Sequence, residues 1–430
     1  VIEQALRSPK LDDALYETGL SFALHDDPAV LWAFVDSALP QVLAPLPFLC
    51  RLADAASHHT RFGVAAELLY RALDIEPENV ELHFALAIAL EENGEFDAAR
   101  AEWQHDRLRG IKRRVPYRGS AAPIRVLTIA SALHAIRYAL FVDDMQMENT
   151  VLYTQCDDPA LPLPAHDIML CAVADVESDA AALAVAQTLA ARTTAPVINH
   201  PDRILRTGRA EQAERLRALP GVTTAAMLPV TRAFLQADGA ALQLASAGIA
   251  FPLLVRALGF HNGRYFETIE TPGDLAAAAA AMPADDLLVQ SFLDTRSSDG
   301  QFRKFRVMSI GGRLYPVHLA ISGRWKVHYI SSAMSANDAY RAEEASFLSD
   351  MHGYLGARAI AALEAIAAAT DLDYGGIDFG ITPNGDVGVF EANGAMAIFL
   401  PDADPRWDYR RTAMQTALDA ATTMLVSRAR

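Results

Sequence analysis

The dipeptide Asn384-Gly385, set between two runs of alternating apolar residues, constrains this chain more than any other feature. Gly375–Ile381 leads into it and Val387–Asn393 leads out. Asn-Gly favours the positive φ angles of a tight hairpin turn, so the two runs are expected to pair as antiparallel strands. With Asn384 and Gly385 as a two-residue loop, Pro383 pairs with Asp386, and equal steps outward bring Asp378 opposite Glu391. Paired residues share a face with Cβ atoms about 5 Å apart, and Asn393 falls on the same face two residues further along. Opposed carboxylates repel unless something cationic lies between them. Hard oxygen donors suit Mg²⁺, which takes one or two carboxylates and fills its other positions with phosphate oxygens and water. The neighbours Ile377, Phe379, Val389 and Phe390 mark an inner hairpin rather than an edge. Asp378, Glu391 and Asn393 are therefore the candidate metal ligands.

Composition limits the partners. At 430 residues the chain is too long for one ordinary core, and two to four packed units are expected. With 52% hydrophobic and 21% charged residues it reads as folded rather than disordered. A net charge of −16 argues against coating nucleic acid or an anionic membrane, so an anionic substrate must be met by a local basic pocket. Cys50, Cys156 and Cys171 are widely spaced, which indicates neither a disulfide framework nor a thiolate zinc site and fits a reducing cytoplasm. The segment VIEQALRSPKLDD lacks a basic stretch followed by an apolar run, so no secretory leader is expected. No apolar run approaches membrane-spanning length. The Ala276–Ala281 stretch is short and follows Thr271-Pro272-Gly273-Asp274, a capped start for a soluble helix.

Residues 1–112 read as helix only. A 34-residue spacing places Ala65, Leu69, Ala72 and Pro77 in one repeat, and Leu86, Ala87, Ala99 and Trp103 in the next. Small residues let paired helices cross closely, and Pro77 ends a helix. The pattern resembles the tetratricopeptide repeat, which implies a docking surface for a protein partner or for self-association. Arg107–Arg118 reads as a basic linker. Over 121–205, the short β-prone runs Ile124–Ile129, Thr150–Tyr153, Ile168–Val173 and Pro196–Asn199 surround a helical Ser178–Ala191, giving a small α/β layer. Neither GxGxxG nor GxxxxGK[ST] occurs, so the usual dinucleotide and P-loop signatures are missing.

The following sections supply cations and glycines. Phe251–Arg256 and Arg264–Ile269 read as strands joined by a loop with Gly259 and Gly263, whose backbone N–H groups could face an anion. His261 lies in that loop. Asp286–Asp294 is a buried-strand pattern leading out to polar residues. In Gln301–Ile310, Lys304 and Arg306 share a strand face, with Phe305 and Val307 on the other. Two cations on an interior face need anionic company, and here they supply the basic pocket that composition demands. Arg324 and Lys326 alternate to one side of a further strand or loop, beside Trp325.

An aspartate on one strand and Glu-x-Asn on the next is similar to the metal-binding signature of the ATP-grasp superfamily. The resemblance implies an α+β chain: an ATP-grasp fold, made of an α/β pre-ATP-grasp layer (121–205), a central lobe (206–292) and a C-terminal lobe (293–430), preceded by the helical domain. It implies ATP and two Mg²⁺ ions, with Mn²⁺ as a substitute, held on Asp378, Glu391 and Asn393. Arg256 and the Gly259, His261 and Gly263 loop would cover the phosphates, although the family more often has lysine before the loop and more glycines in it. Gln290, Ser291, Phe292 and Asp294 match the segment that reads adenine and ribose, with Ser291 in place of the commoner glutamate. Arg209 would stand in for another ATP-contacting lysine. Arg306, with Lys304, would steady the transferring phosphoryl group, and Arg303, Arg324, Lys326 and Gly394 would meet substrate. The implied activity is a carboxylate–amine ligase acting on small molecules, amino acids or peptides through an acyl phosphate. A phosphotransferase on the same fold, and a helical-repeat scaffold with a degenerate nucleotide unit, are the alternatives.

Overall fold

A computed structural model describes residues 9–25, 28–105, 108–258, 264–327, 332–401 and 403–430. The chain divides into two compact units, one of Val1–Ile111 with Gln155–Leu161, the other of Lys112–Thr154 with Pro162–Arg430.

The first unit is built from helices α1 (Pro9–His25), α2 (Pro28–Ala38), α3 (Pro45–His58), α4 (Phe62–Ile75), α5 (Val80–Glu92) and α6 (Phe96–Trp103). The small and large repeat positions face inward as the spacing predicts: Ala65, Leu69, Ala72, Leu86 and Ala99 share one buried core. Asn79 caps α5 by accepting from the backbone N–H groups of Glu81 and Leu82 at 3.0 and 3.3 Å. The Gln155–Leu161 segment is tied to this unit where Gly110 N–H donates to the Cys156 carbonyl and Arg109 pairs with Asp158 at 2.9 Å. Sequence spacing gave no sign of that return.

The second unit holds three sheets. The first has the order β1 (Lys112–Val115), β3 (Met147–Tyr153), β2 (Ile124–Ala130), β4 (Ile168–Cys171), β5 (Val197–Ile198); β2 to β5 are parallel and β1 is an antiparallel edge. The basic linker expected at Arg107–Arg118 is thus partly a strand, because Lys112–Val115 completes the ladder of β3. Helix α7 (Ala180–Ala190) packs on one face of this sheet. Helix α8 (Arg209–Leu216) leads to β6 (Val222–Thr224).

The second sheet is antiparallel, in the order β7 (Met227–Thr231), β10 (Asp286–Ser291), β8 (Leu253–Ala257), β9 (Phe266–Ile269). The third has the order β12 (Arg313–Ser322), β11 (Phe302–Ile310), β13 (Tyr374–Ile381), β14 (Val387–Asn393), β6. Helices α9 (Asp338–Ser349) and α10 (Met351–Thr370) cover one of its faces through Phe305, Val307, Phe347, Leu363 and Phe379. On the other face, Met308 and Ile310 of β11 pack under α11 (Arg411–Arg428), which also covers the first sheet. Lys304 and Arg306 continue that face beyond the reach of the apolar core.

On α9, the fully buried Glu344 accepts from the Leu319 N–H at 3.2 Å, from the Tyr409 hydroxyl, and from Arg410 Nε and Nη2 at 3.0 and 2.6 Å. Asn199 joins β5 to β13. Its side chain donates to the Tyr374 carbonyl at 2.7 Å and accepts from the Tyr374 N–H at 2.9 Å. Among the described residues, no helix is long and apolar enough to cross a membrane.

Candidate active site

The β13–β14 hairpin brings Asp378 opposite Glu391, but by a different route from the simple count. The loop has three residues, Pro383, Asn384 and Gly385, closed by Thr382 N–H donating to the Asp386 carbonyl at 2.9 Å. Gly385 takes the left-handed φ of 79° that such a loop requires at its end. From this closure the ladder runs Ile381 to Val387, Gly380 to Gly388 and Phe379 to Val389, which would leave Asp378 opposite Phe390. A bulge then intervenes, and Asp378 pairs with Glu391 and Gly376 with Asn393. The two-residue loop is therefore corrected: the turn is one residue longer, and the bulge restores the expected pair.

Asp378 is 1% exposed. Its carboxylate receives Arg306 Nε at 2.7 Å and Nη2 at 2.9 Å, and Lys304 Nζ at 2.7 Å. Burial would raise this carboxyl, but the Arg306 and Lys304 charges hold it well below the ordinary carboxylate range. Arg306 stays charged for the same reason: burial opposes it, and Asp378 more than compensates. It also donates to the Ala397 carbonyl at 3.3 Å.

Glu391 accepts from Asn393 Nδ2 at 3.0 Å and from Arg209, whose other nitrogen is held by Glu177. Burial disfavours the Arg209 charge, but Glu391 and Glu177 outweigh it and raise its pKa. Arg256, on β8, is pushed down by burial and then by the charge of Arg209, and it also feels Glu391, Glu177 and Asp175. It lies over the Phe266 ring, 5.5 Å from its centre.

Lys304, Arg306, Arg209, Asp378, Glu391 and Asn393 thus converge, with Arg256 close enough to sense them. The cations are matched by carboxylates, so the basic pocket expected from composition is instead a set of mutual ion pairs. The side chains fill the space: the crevice beside Arg209 and Glu391 has a volume of about 10 Å³. A larger cavity of about 620 Å³, lined by Arg118, Asp143, Asp144 and Asp419 among others, contains none of these residues.

Other expected site residues lie apart from this cluster. Arg303 is on the helix-covered face of β11, paired with Glu343 at 2.5 Å and Asp299 at 2.8 Å. Strict alternation puts it there, opposite Lys304. No strand forms over 323–327; Arg324 is exposed and its N–H donates to Ser322 at 3.1 Å, while Lys326 donates to the Phe266 carbonyl at 2.8 Å and meets Glu267 at 3.4 Å. Gly259, His261 and Gly263 lie outside the described residues.

Gln290 and Ser291 end β10, and the Ser291 hydroxyl accepts from the Ala226 N–H at 2.9 Å. The Phe292 ring meets Trp325 edge-on, with centroids 6.3 Å apart, and Trp325 meets Phe266 at 5.4 Å. Asp294 accepts from the Arg296 N–H at 2.9 Å. The next residue, Thr295, crosses the hairpin where Gly380 and Gly388 are bare; a Cβ on Gly380 would come within 2.7 Å of it. Gly394 lies against Ala174 and Asn199.

Sequence reasoning missed Glu177 and His318. His318 pairs with Arg306 across β11–β12 and is kept neutral, first by burial and then by the Arg306 charge. It also missed a polar group at the carboxyl ends of β2 and β4. Ser131 donates to Asp179 at 3.0 Å and His134 lies 3.4 Å from the same oxygen, while Asp175 accepts from the Glu177 N–H at 2.8 Å. Strand order reverses between β2 and β4, the crevice where open α/β sheets bind ligands. The signal available was the acidic run Asp175-Val-Glu-Ser-Asp179 directly after a buried strand.

The tetratricopeptide-repeat family model matches residues 59–105. Among solved structures, the chain is similar to the VanG D-Ala:D-Ser ligase from Enterococcus faecalis (12% identity, TM-score 0.45, 72% of this chain and 100% of that one). It is also similar to a RimK-domain ATP-grasp protein from Sphaerobacter thermophilus (16%, TM-score 0.40, 70% and 99%). A third is the D-alanine-D-alanine ligase from Coxiella burnetii (10%, TM-score 0.43, 71% and 96%). No curated protein matches the chain in sequence. The fold is α+β with an N-terminal helical repeat region.

Proposed function

We propose that the chain is an ATP-dependent ligase that joins a carboxylate to an amine through an acyl phosphate, releasing ADP and phosphate. The observation that carries the reading is the Asp378–Glu391 pair, in register on adjacent strands, with Asn393 beside it and Lys304, Arg306 and Arg209 drawn onto it.

The donor set fits Mg²⁺. Among the described residues, no three His, Cys, Asp or Glu side chains could hold a metal alone. Two carboxylates and an amide oxygen suit an ion that draws its remaining ligands from phosphate and water. Asp378, Glu391 and Asn393 would hold it, with Mn²⁺ as a substitute, and it would offset charge on the transferring phosphoryl group.

The remaining work is positioning and charge neutralisation by the chain itself. Arg306 and Lys304 would turn from Asp378 to phosphate oxygens as the γ-phosphoryl group leaves ADP for the substrate carboxylate. An anion between Arg256 and Arg209 would relieve the burial and like-charge repulsion that depress Arg256. Phe266, Trp325 and Phe292 offer an apolar wall for the base beside Gln290, with Asp294 for the ribose. The acidic group of Asp175 and Asp179 suits the substrate that brings the amine, whose attack on the acyl phosphate expels inorganic phosphate.

The test is a screen of amino acids and peptides for stimulated ADP release, with products identified by mass. An amide product together with ADP and phosphate supports the ligase. A phosphorylated alcohol formed without any amine would make the chain a phosphotransferase. Failure to bind Mg-ATP with Asp378, Glu391 and Asn393 intact would leave the helical-repeat scaffold.

A further inference from the structure

The face of the first sheet that packs on α11 is apolar except at one place. Val126 and Ala130 of β2, Met147 and Val151 of β3, and Leu418 of α11 belong to one core. Strand alternation sets Thr128 and Asn149 on that same face, between these apolar pairs. They are 0% and 3% exposed. The Thr128 hydroxyl donates to Asn149 Oδ1 at 2.8 Å. Among the described residues, Asn149 Nδ2 has no hydrogen-bond partner. A buried amide donor destabilises the core around it unless something accepts from it. Asn149 lines the cavity of about 620 Å³ that lies apart from the candidate active site. That volume falls within the range of small-molecule sites, about 300–1,000 Å³.

The other walls of the cavity set its chemistry. Its arginine is already spent, because Arg118 forks onto both oxygens of Asp144 at 2.7 and 2.8 Å. Asp143 accepts from the Met145 N–H at 2.9 Å and from Gln146 Nε2 at 2.8 Å, and Asp419 accepts from Gln415 Nε2 at 2.8 Å. Among the described residues, no cation forms an ion pair with Asp143 or Asp419. Carboxylates that accept at most one neutral hydrogen bond per oxygen keep lone pairs for an ammonium. An anionic ligand would meet two uncompensated negative charges, and a polyamine without oxygen would leave the Asn149 amide unsatisfied. Hydroxyl groups accept from Nδ2 and also match Thr423 and Gln146, while Leu140, Val142 and Leu418 flank a carbon skeleton.

We propose that this cavity is a second small-molecule site, for a hydroxylated organic amine of the amino-sugar class. Its ammonium pairs with the carboxylate wall of Asp143 and Asp419, and one of its hydroxyls accepts from Asn149. The cavity shares no residue with the Asp378, Glu391 and Asn393 cluster, so the inference does not depend on the ligase reading.

The test titrates glucosamine into the full chain by isothermal calorimetry, without nucleotide. Binding is expected at a dissociation constant of about 1 mM or tighter. Asp143→Asn with Asp419→Asn keeps the shape of the wall but removes both charges, and should weaken binding about tenfold or more. Thr423→Trp, at an exposed position of α11, should plug the cavity and abolish binding while circular dichroism stays native. Asp378→Asn, in the candidate active site, should leave the affinity within about twofold. Glucose, which lacks the ammonium, and spermidine, which lacks the oxygens, should each bind about tenfold more weakly than glucosamine. No heat of binding at about 10 mM glucosamine overturns the proposal. So does equal binding of glucose or spermidine, or a loss caused by Asp378→Asn and not by the cavity variants.

Discussion

Two buried carboxylates in the C-terminal part of the chain, Glu344 and Asp378, are each gripped by an arginine, yet they are built for different ends. Glu344 has a 2%-exposed Arg410 side chain, a tyrosine hydroxyl and a backbone N–H, and Arg410 stacks 4.0 Å over Trp407. Every group there is committed to another group of the protein. Asp378 is as deeply buried, but its cations are not: the side chains of Arg306 and Lys304 keep 16% and 23% of their exposure. Its neighbour Glu391 is paired with a third cation. A sealed ion pair is a fastener, whereas one whose cations reach toward solvent can exchange partners.

Substitutions can break this contrast. The largest effect expected is on catalysis: Asp378→Asn or Glu391→Gln should lower ATP turnover by about 10³-fold or more, while circular dichroism stays native. Retained turnover would remove the metal assignment. Glu344→Gln should leave turnover per folded molecule unchanged but lower unfolding free energy by about 3–5 kcal/mol in urea melts, since Arg410 has no route to water. Asp378→Asn should cost only about 1–3 kcal/mol, because Arg306 and Lys304 can turn outward. Equal stability losses would erase the distinction.

The smallest effect concerns pH. His318 is held well below its ordinary pKa of about 6.5, so its contribution to stability is present above that value and lost as pH falls below it. Stability should fall by about 1.4 kcal/mol per pH unit more in the native chain than in His318→Asn, from about pH 6.5 downward. Parallel pH profiles would contradict a neutral, buried His318.

How much of this was legible depends on distance along the chain. The hairpin announced itself because its signal is local, although the extra loop residue and the bulge at Phe390 cancelled; neither alone could be read from alternation. Lys304 and Arg306 were placed by strand period, and the same period, applied one residue earlier, would have excluded Arg303. Arg209 could not be linked to Glu391, 182 residues on, nor Glu177 to Arg209, 32 residues on, because only tertiary packing brings them together. The linker became an edge strand because β3 had an unpaired side, which a sequence does not display.

The pairing at the candidate site has an electrostatic corollary. Lys304, Arg306, Arg209 and Arg256 stand against Asp378, Glu391, Glu177 and Asp175, four formal charges of each sign. A balanced cluster projects little field beyond a Debye length, so a net-neutral metal–nucleotide complex would enter without long-range steering. Recognition would then be short-range barter, each internal pair traded for a cross pair with no change in total charge. Such a site would gain selectivity from geometry and remain nearly indifferent to ionic strength.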